Sequence, residues 1–207
     1  MKEINIIDFG LMGKQISALF YLLGYEIGVY NKSKLNIYEF EKQIKLLQRK
    51  IDFSNFNAGK INNYQHIEDL KNSLTIESLN EDLNLKKEIM QILRDNNIVF
   101  SNSSSLSMDD LNCDFIHFFN TIYIKLIELC GSNLERFTPL KDLKKLGFHI
   151  ICSKGNRGAL ANLLLFNEIS SFFKIIEKYD YNFKECQTVY DLLYEKRNLL
   201  NIIDTIG

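Results

Sequence analysis

Little in this 207-residue chain is extreme, and what is scarce narrows its class. Formal charge nearly cancels at −1, which argues against a protein built to coat nucleic acid or an anionic membrane. No apolar run approaches the roughly 20 residues needed to span a bilayer. The N-terminus, Met1 to Asp8, enters a strand pattern directly and lacks a signal-peptide cleavage pattern. Cys113, Cys130, Cys152 and Cys186 are too widely spaced for a zinc knuckle or a redox pair, so a reduced cytoplasmic setting is expected and no metal site. The single proline reads as compositional drift. Hydrophobic content of 46% with a quarter charged residues describes an ordinary globular protein: one large domain, or one with a smaller appendage.

What is present begins as a strand, a glycine turn, a helix and a strand. Ile4-Asn5-Ile6-Ile7 reads as a buried parallel strand, and Gly10 and Gly13 lead into a helix with Ile16, Leu19, Phe20 and Leu23 at helical spacing. Gly24 closes that helix, and Glu26 to Tyr30 forms the next strand. Such a unit predicts an α/β, doubly wound, mostly parallel sheet. Further on, the pattern predicts a helix over 36–51, an Asn-rich loop over 52–63, a strand over 74–78 and a helix over 82–96. Ile98 to Ser101 is a strand emptying into a serine-rich loop. Extended segments over 115–119 and 125–130, a helix over 135–146 ending at Gly147, and a strand over 148–152 complete the expected domain, residues 1–153. Residues 154–207 read as a short all-helical appendage.

Two stretches carry candidate chemistry. The turn Asp8-Phe9-Gly10-Leu11-Met12-Gly13 follows a strand and opens a helix, as a dinucleotide-binding turn does, but aspartate stands where the first glycine belongs. That adds a negative charge beside the place for a diphosphate. At the end of the second strand, where an acidic residue would hold the adenine ribose, the chain has Asn31-Lys32-Ser33-Lys34, which relieves repulsion of a 2′-phosphate and admits NADP as well as NAD. The second stretch is Ile116-His117-Phe118-Phe119-Asn120, with Glu128 eleven residues after the histidine. Imidazole titrates near neutrality and suits proton exchange with a hydroxyl, and a nearby carboxylate would orient and stabilise its charged form. Read alone, His117 is more simply a strand-end residue hydrogen-bonded in the core.

Taken in order, the motifs resemble those of the 3-hydroxyacyl-CoA dehydrogenases. Phe9 to Lys14 is similar to the family's G-x-G-x-M-G turn, and Ile76 to Glu81 with Lys86-Lys87 to its I-E-A-x-x-E…K-K segment. Ser101 to Leu106 resembles S-N-T-S-S-L, His117 to Asn120 is the H-F-F-N of H-F-F-N-P, and Lys125 to Glu128 resembles K-L-V-E. Lys154 to Asn162 is spaced like K-D-x-P-G-F-x-x-N, and Asn201 to Gly207 is similar to E-L-L-D-x-x-G. The chain departs from the pattern at Asp8, at Asn31, at Thr121 in place of proline, at Arg157 and Leu163, and in the short segment between Asn31 and Glu77. The spacing to Glu128 is one residue short, and the family's pattern continues with further helices past Gly207.

The resemblance implies a Rossmann-type domain and hydride exchange between a nicotinamide cofactor and a 3-hydroxyacyl-CoA, or a related 3-hydroxy compound, in fatty acid metabolism. It implies His117 as general acid/base, Glu128 as its orienting carboxylate, Ser104 on the reacting oxygen and Asn162 positioning the substrate, with Asn120 in support. Cofactor contacts would come from Asp8, Gly10, Leu11, Met12, Gly13, Asn31, Lys32, Glu77 and Asn102. The expected partner is a small acyl-CoA or 3-hydroxy substrate, without nucleic acid or membrane, and the pattern is compatible with a homodimer. Two alternatives stay open. One is a degenerate member that binds nucleotide or acyl-CoA, or serves assembly, without turnover. The other is a 3-hydroxyacid dehydrogenase of the wider superfamily, whose catalytic lysine would have to be the late Lys174.

Overall fold

The computed structural model describes residues 2–93, 98–153 and 159–194. Eight strands form one sheet: β1 (Glu3–Ile7), β2 (Glu26–Tyr30), β3 (Lys60–Tyr64), β4 (Leu74–Glu77), β5 (Ile98–Ser101), β6 (Asp114–Phe118), β7 (Leu126–Cys130) and β8 (His149–Ser153). Their spatial order is β3-β2-β1-β4-β5-β6-β7-β8, and every pairing is parallel except β6 with β7. This is a Rossmann-type doubly wound sheet. The chain leaves β1 toward β2 and β3, then crosses back to β4 on the other side. The carboxyl ends of β1 and β4 therefore flank a switch point, where open α/β sheets take their ligands.

The first half of the sheet reads directly from side-chain chemistry. β1 and β4 are buried almost end to end, as strands covered on both faces are, with Asn5, Thr75 and Glu77 among the buried residues. Between them in sequence run the helices α1 (Leu11–Leu22) and α2 (Ile37–Gln48), and α3 (Leu83–Leu93) follows β4. On α1, Ile16, Leu19 and Phe20 are wholly buried, and the Phe20 ring meets Tyr25 and Phe118 edge-on at 5.2 and 6.1 Å. The chain turns out of α1 through Gly24, whose φ of +84° is the left-handed conformation glycine adopts at little cost. Asn36 caps α2 by accepting the Glu39 N–H at 3.1 Å.

Three sequence expectations need correction. The Asn-rich stretch expected to be a loop over 52–63 runs into β3, an edge strand whose residues Lys60-Ile61-Asn62-Asn63-Tyr64 pair in parallel with β2. None of its residues is buried, and Lys60 and Asn63 are exposed, so it carries no apolar signal to read. The single helix expected over 135–146 is instead a short 3-10 turn, Leu134–Arg136, followed after Pro139 by α5 (Leu140–Lys145). A further helix, α4 (Met108–Leu111), one turn long, is set by a reciprocal capping box between Ser107 and Asp110.

The chain divides into two compact units, Met1–Leu160 and Ala161–Gly207. The second holds most of α6 (Leu160–Tyr179) and all of α7 (Phe183–Leu193), where Phe172 and Tyr190 are buried against each other with ring centroids 5.6 Å apart. Among the described residues, no helix is long and apolar enough to cross a membrane. The motif residues Lys154 to Gly158 and Asn201 to Gly207, and the last residues of the helix expected over 82–96, lie outside the described residues.

Candidate active site

Because β1, β4, β5 and β6 run in parallel, their carboxyl ends share one edge of the sheet, and most of the candidate residues lie at or beside these strand ends. At the end of β1, Asp8 adopts φ +76°, the left-handed region that glycine enters most readily. Its N–H is held by the Tyr30 carbonyl at 2.9 Å. Its carboxylate turns forward, and Oδ2 accepts the Gly10 N–H at 3.0 Å. Gly13 is required for packing: a Cβ there would lie 2.2 Å from the Asp8 carbonyl oxygen. The first turn of α1 thus lies against the loop as the dinucleotide fingerprint requires, with Leu11 exposed and Met12 packed against the main core.

Asn31 sits beside this loop and ties it to β2. Its Oδ1 accepts the Phe9 N–H at 3.3 Å and its Nδ2 donates to the Ser33 carbonyl at 2.8 Å. An aspartate could make only the first of these bonds. Lys32 and Lys34 are exposed.

At the end of β4, Glu77 is fully buried and its carboxylate is engaged on every side. Lys86 Nζ donates at 2.7 Å, Ser101 Oγ at 2.6 Å and the Leu79 N–H at 2.5 Å. Lys86 also donates to the Leu79 carbonyl at 2.9 Å. This closed network pins β4, β5 and α3 together, so Glu77 braces the loop ends with its side chain turned inward. The serine loop above it is clamped by Glu81, which accepts from Ser103 Oγ at 2.5 Å and from the Ser104 N–H at 2.8 Å. The Ser104 carbonyl in turn accepts the Ala159 N–H at 3.2 Å. Burial alone would raise the Glu81 carboxyl, but bonds from Ser103 and Ser104 and the charge of Lys86 bring it below its ordinary range. Glu81 lies within a motif visible in the sequence, yet nothing there singles it out as the clamp.

Asn102 links this loop to the next strand, its Oδ1 accepting the Phe118 N–H at 2.8 Å. In β6, His117 stands directly opposite Glu128 of β7 in antiparallel register, which puts both side chains on one face of the sheet. The shortened spacing after the histidine leaves that register in place. His117 Nδ1 is buried without a hydrogen-bond partner, and the ring meets Phe119 edge-on at 4.3 Å. Glu128 is 2% exposed and accepts the Leu160 N–H at 2.7 Å. Burial lowers His117 below the ordinary imidazole value, while the charge of Glu128, a hydrogen bond to the Asn102 backbone and the charge of Glu81 pull it partly back. A histidine so placed is neutral at neutral pH and ready to accept a proton.

The connection from β6 to β7 explains the missing proline. Thr121 is wholly buried, and both its N–H and its hydroxyl contact Gln15 Oε1 of α1 at 3.3 Å. Proline has no N–H to offer there. Asn120 caps the same turn, its Oδ1 accepting the Ile122 N–H at 3.3 Å. Gln15 carried no signal in the sequence. Asn162, the remaining candidate, belongs to the second unit, on α6.

The loop after β1 fits a dinucleotide in its backbone course, in the close approach at Gly13 and in its place at the head of α1. The exception is the Gly10 amide, which the chain's own Asp8 already holds.

Comparisons with known proteins bear on the family and the fold. Residues 3–136 match the sequence profile of the 3-hydroxyacyl-CoA dehydrogenase NAD-binding domain. Comparison with curated protein sequences finds no match. Among solved structures, (S)-3-hydroxybutyryl-CoA dehydrogenase PaaH1 from Ralstonia eutropha is similar over 100% of this chain and 83% of its own, at 21% identity and a TM-score of 0.81. FadB2 of M. tuberculosis is similar over 93% of this chain and 77% of its own, at 19% identity and a TM-score of 0.75. An NAD+-dependent dismutase, 5-formyl-3-hydroxy-2-methylpyridine 4-carboxylic acid 5-dehydrogenase, matches over 100% of this chain and 76% of its own, at 17% identity and a TM-score of 0.78. At such identities these likenesses establish the shared fold, which evidently serves different substrates.

Proposed function

This chain belongs to the 3-hydroxyacyl-CoA dehydrogenase family, whose NAD-binding domain it carries, and from that premise we propose that it interconverts a 3-hydroxyacyl-CoA and its 3-keto form. The family and fold are those of an NAD-dependent dehydrogenase. The acyl-CoA substrate and the residue roles are the proposal.

In this reading the turn from Asp8 through Gly10, Leu11 and Met12 to Gly13 holds the dinucleotide at the head of α1, with Asn31 and Lys32 beside the adenine ribose. When bound, the nicotinamide supplies the hydride acceptor or donor. His117 takes the proton of the 3-hydroxyl during oxidation and returns it during reduction. Glu128, across the strand pair, stabilises the imidazolium that results. Ser104, held by Glu81 through its backbone, hydrogen-bonds the reacting oxygen. The lack of a carboxylate at Asn31 and the exposed Lys32 and Lys34 support acceptance of NADPH beside NADH.

The observation that carries this reading is the register of His117 against Glu128 beside a serine loop braced by Glu77 and Glu81. One observation favours a binding protein without turnover instead, namely the Asp8 carboxylate on the Gly10 amide. Fluorescence titration with NADH and NADPH, followed by assay of acetoacetyl-CoA and ethyl acetoacetate reduction, separates the two. We expect binding of either cofactor and faster reduction of the thioester. Binding without reduction of either ketone would favour the non-catalytic reading, and no binding at millimolar cofactor would overturn both.

A further inference from the structure

We propose that Asp8 is a built-in competitor for the cofactor's diphosphate, a specificity-determining residue that sets how tightly this chain holds a dinucleotide. The inference rests on the dinucleotide reading of the loop and goes beyond it by naming the residue that tunes affinity.

Position 8 needs a left-handed backbone, and aspartate is among the few side-chain-bearing residues that enter that region with modest strain. Replacing glycine there preserves the turn, so the change acts through the side chain. That side chain does not point idly into solvent. Its Oδ2 accepts the Gly10 N–H at 3.0 Å, and it lies so close over Gly10 that a Cβ on Gly10 would come within 2.9 Å of it. Gly10 is the N-cap of α1, has no side-chain cap of its own, and is followed by a first turn with no acidic residue. The head of a helix favours an anion, because its first N–H groups lack partners and the helix dipole is positive there. In this chain the anion is Asp8.

Asp8 is partly exposed and Gly10 is exposed, so the contact can be displaced from solvent. A diphosphate approaching the turn must take the Gly10 amide from the carboxylate and then sit beside its negative charge. The charge alone is enough to cost about tenfold in affinity, because repulsion between like charges a few ångströms apart is several times stronger at a protein surface than in bulk water. A ligand without phosphates meets neither cost.

The test compares the native chain with Asp8→Gly and Asp8→Asn in titrations with NADH, ADP-ribose and adenosine, read by fluorescence and calorimetry. Glycine suits φ +76° and frees the Gly10 amide, so Asp8→Gly folds and binds NADH and ADP-ribose about tenfold tighter or more. Asp8→Asn removes the charge but keeps an acceptor, and recovers part of that gain. Adenosine affinity is unchanged in both variants. NADH affinity within about twofold across the three proteins, or an equal tightening for adenosine, would overturn the proposal. The two readings fail distinguishably. Equal, firm NADH binding by all three proteins removes only the role of Asp8. Absence of NADH binding even in Asp8→Gly removes the dinucleotide reading and this inference with it.

Discussion

Substituting Lys86 by methionine tests whether the network beneath the serine loop holds the site together. Methionine keeps the length and most of the volume of the lysine stem, so the change removes a charge and leaves packing largely intact. Lys86 and Glu77 have side chains 1% and 0% exposed, and their 2.7 Å contact is therefore almost fully withdrawn from water. Removing one partner leaves the Glu77 carboxylate buried with only Ser101 Oγ and the Leu79 N–H, and leaves the Leu79 carbonyl without the lysine donor. Breaking a buried pair from one side costs about 3–5 kcal/mol, because the remaining charge is stranded. In a chain of this size that corresponds to a fall in melting temperature of roughly 10 °C, at about 2–4 °C per kcal/mol. Urea denaturation and thermal melting followed by circular dichroism measure both. The double variant Glu77→Gln with Lys86→Met supplies the control: the glutamine amide can accept from Leu79 N–H and donate to the vacated Leu79 carbonyl. It should recover more than half of the loss. A single variant within about 1 kcal/mol of the native chain, or a double variant no better than the single, would refute the brace.

Other perturbations reach the site itself. In the oxidation direction, kcat/KM should rise with pH through an inflection below the ordinary histidine value, because burial lowers His117 and only the neutral ring accepts a proton. Glu128→Gln removes a charge that favours the imidazolium, so the inflection in a pH–rate profile should move lower still; movement upward would contradict the assignment. Gly13→Ala places a Cβ 2.2 Å from the Asp8 carbonyl, so calorimetry should show loss of NADH binding and about 1–3 kcal/mol of destabilisation. Thr121→Pro restores the family's residue yet removes a buried N–H and a hydroxyl from Gln15, so urea denaturation should show a loss of about 1–3 kcal/mol; a gain would show that the Gln15 contact has no weight.

The parts of the fold that read directly from sequence are those whose side chains repeat a physical constraint. Ile4, Ile6, Ile7 and Ile76 are buried because their strands are covered on both faces, and that leaves isoleucine-rich strand segments. Gly10 and Gly13 show as a turn because no other residue fits at Gly13. The edge strand β3 hides because half-buried Asn62 and exposed Asn63 satisfy it as well as apolar residues would. The candidate residues are legible in the sequence as residue types, and the strands set His117 in register with Glu128. What escaped were long-range polar bonds. Gln15 on Thr121 and Glu81 on Ser104 join residues far apart in sequence, with no periodicity to announce them. The lost glycine at position 8 was visible as a charge; that its carboxylate curls onto Gly10 was not.

In the proposed mechanism His117 moves the proton while the cofactor site stands independently of it. Single-turnover reduction of acetoacetyl-CoA by NADH, compared between the native chain and His117→Gln, tests this most directly. NADH affinity should be unchanged and the rate should fall by about 10²- to 10⁴-fold. Equal rates for the two proteins would contradict it.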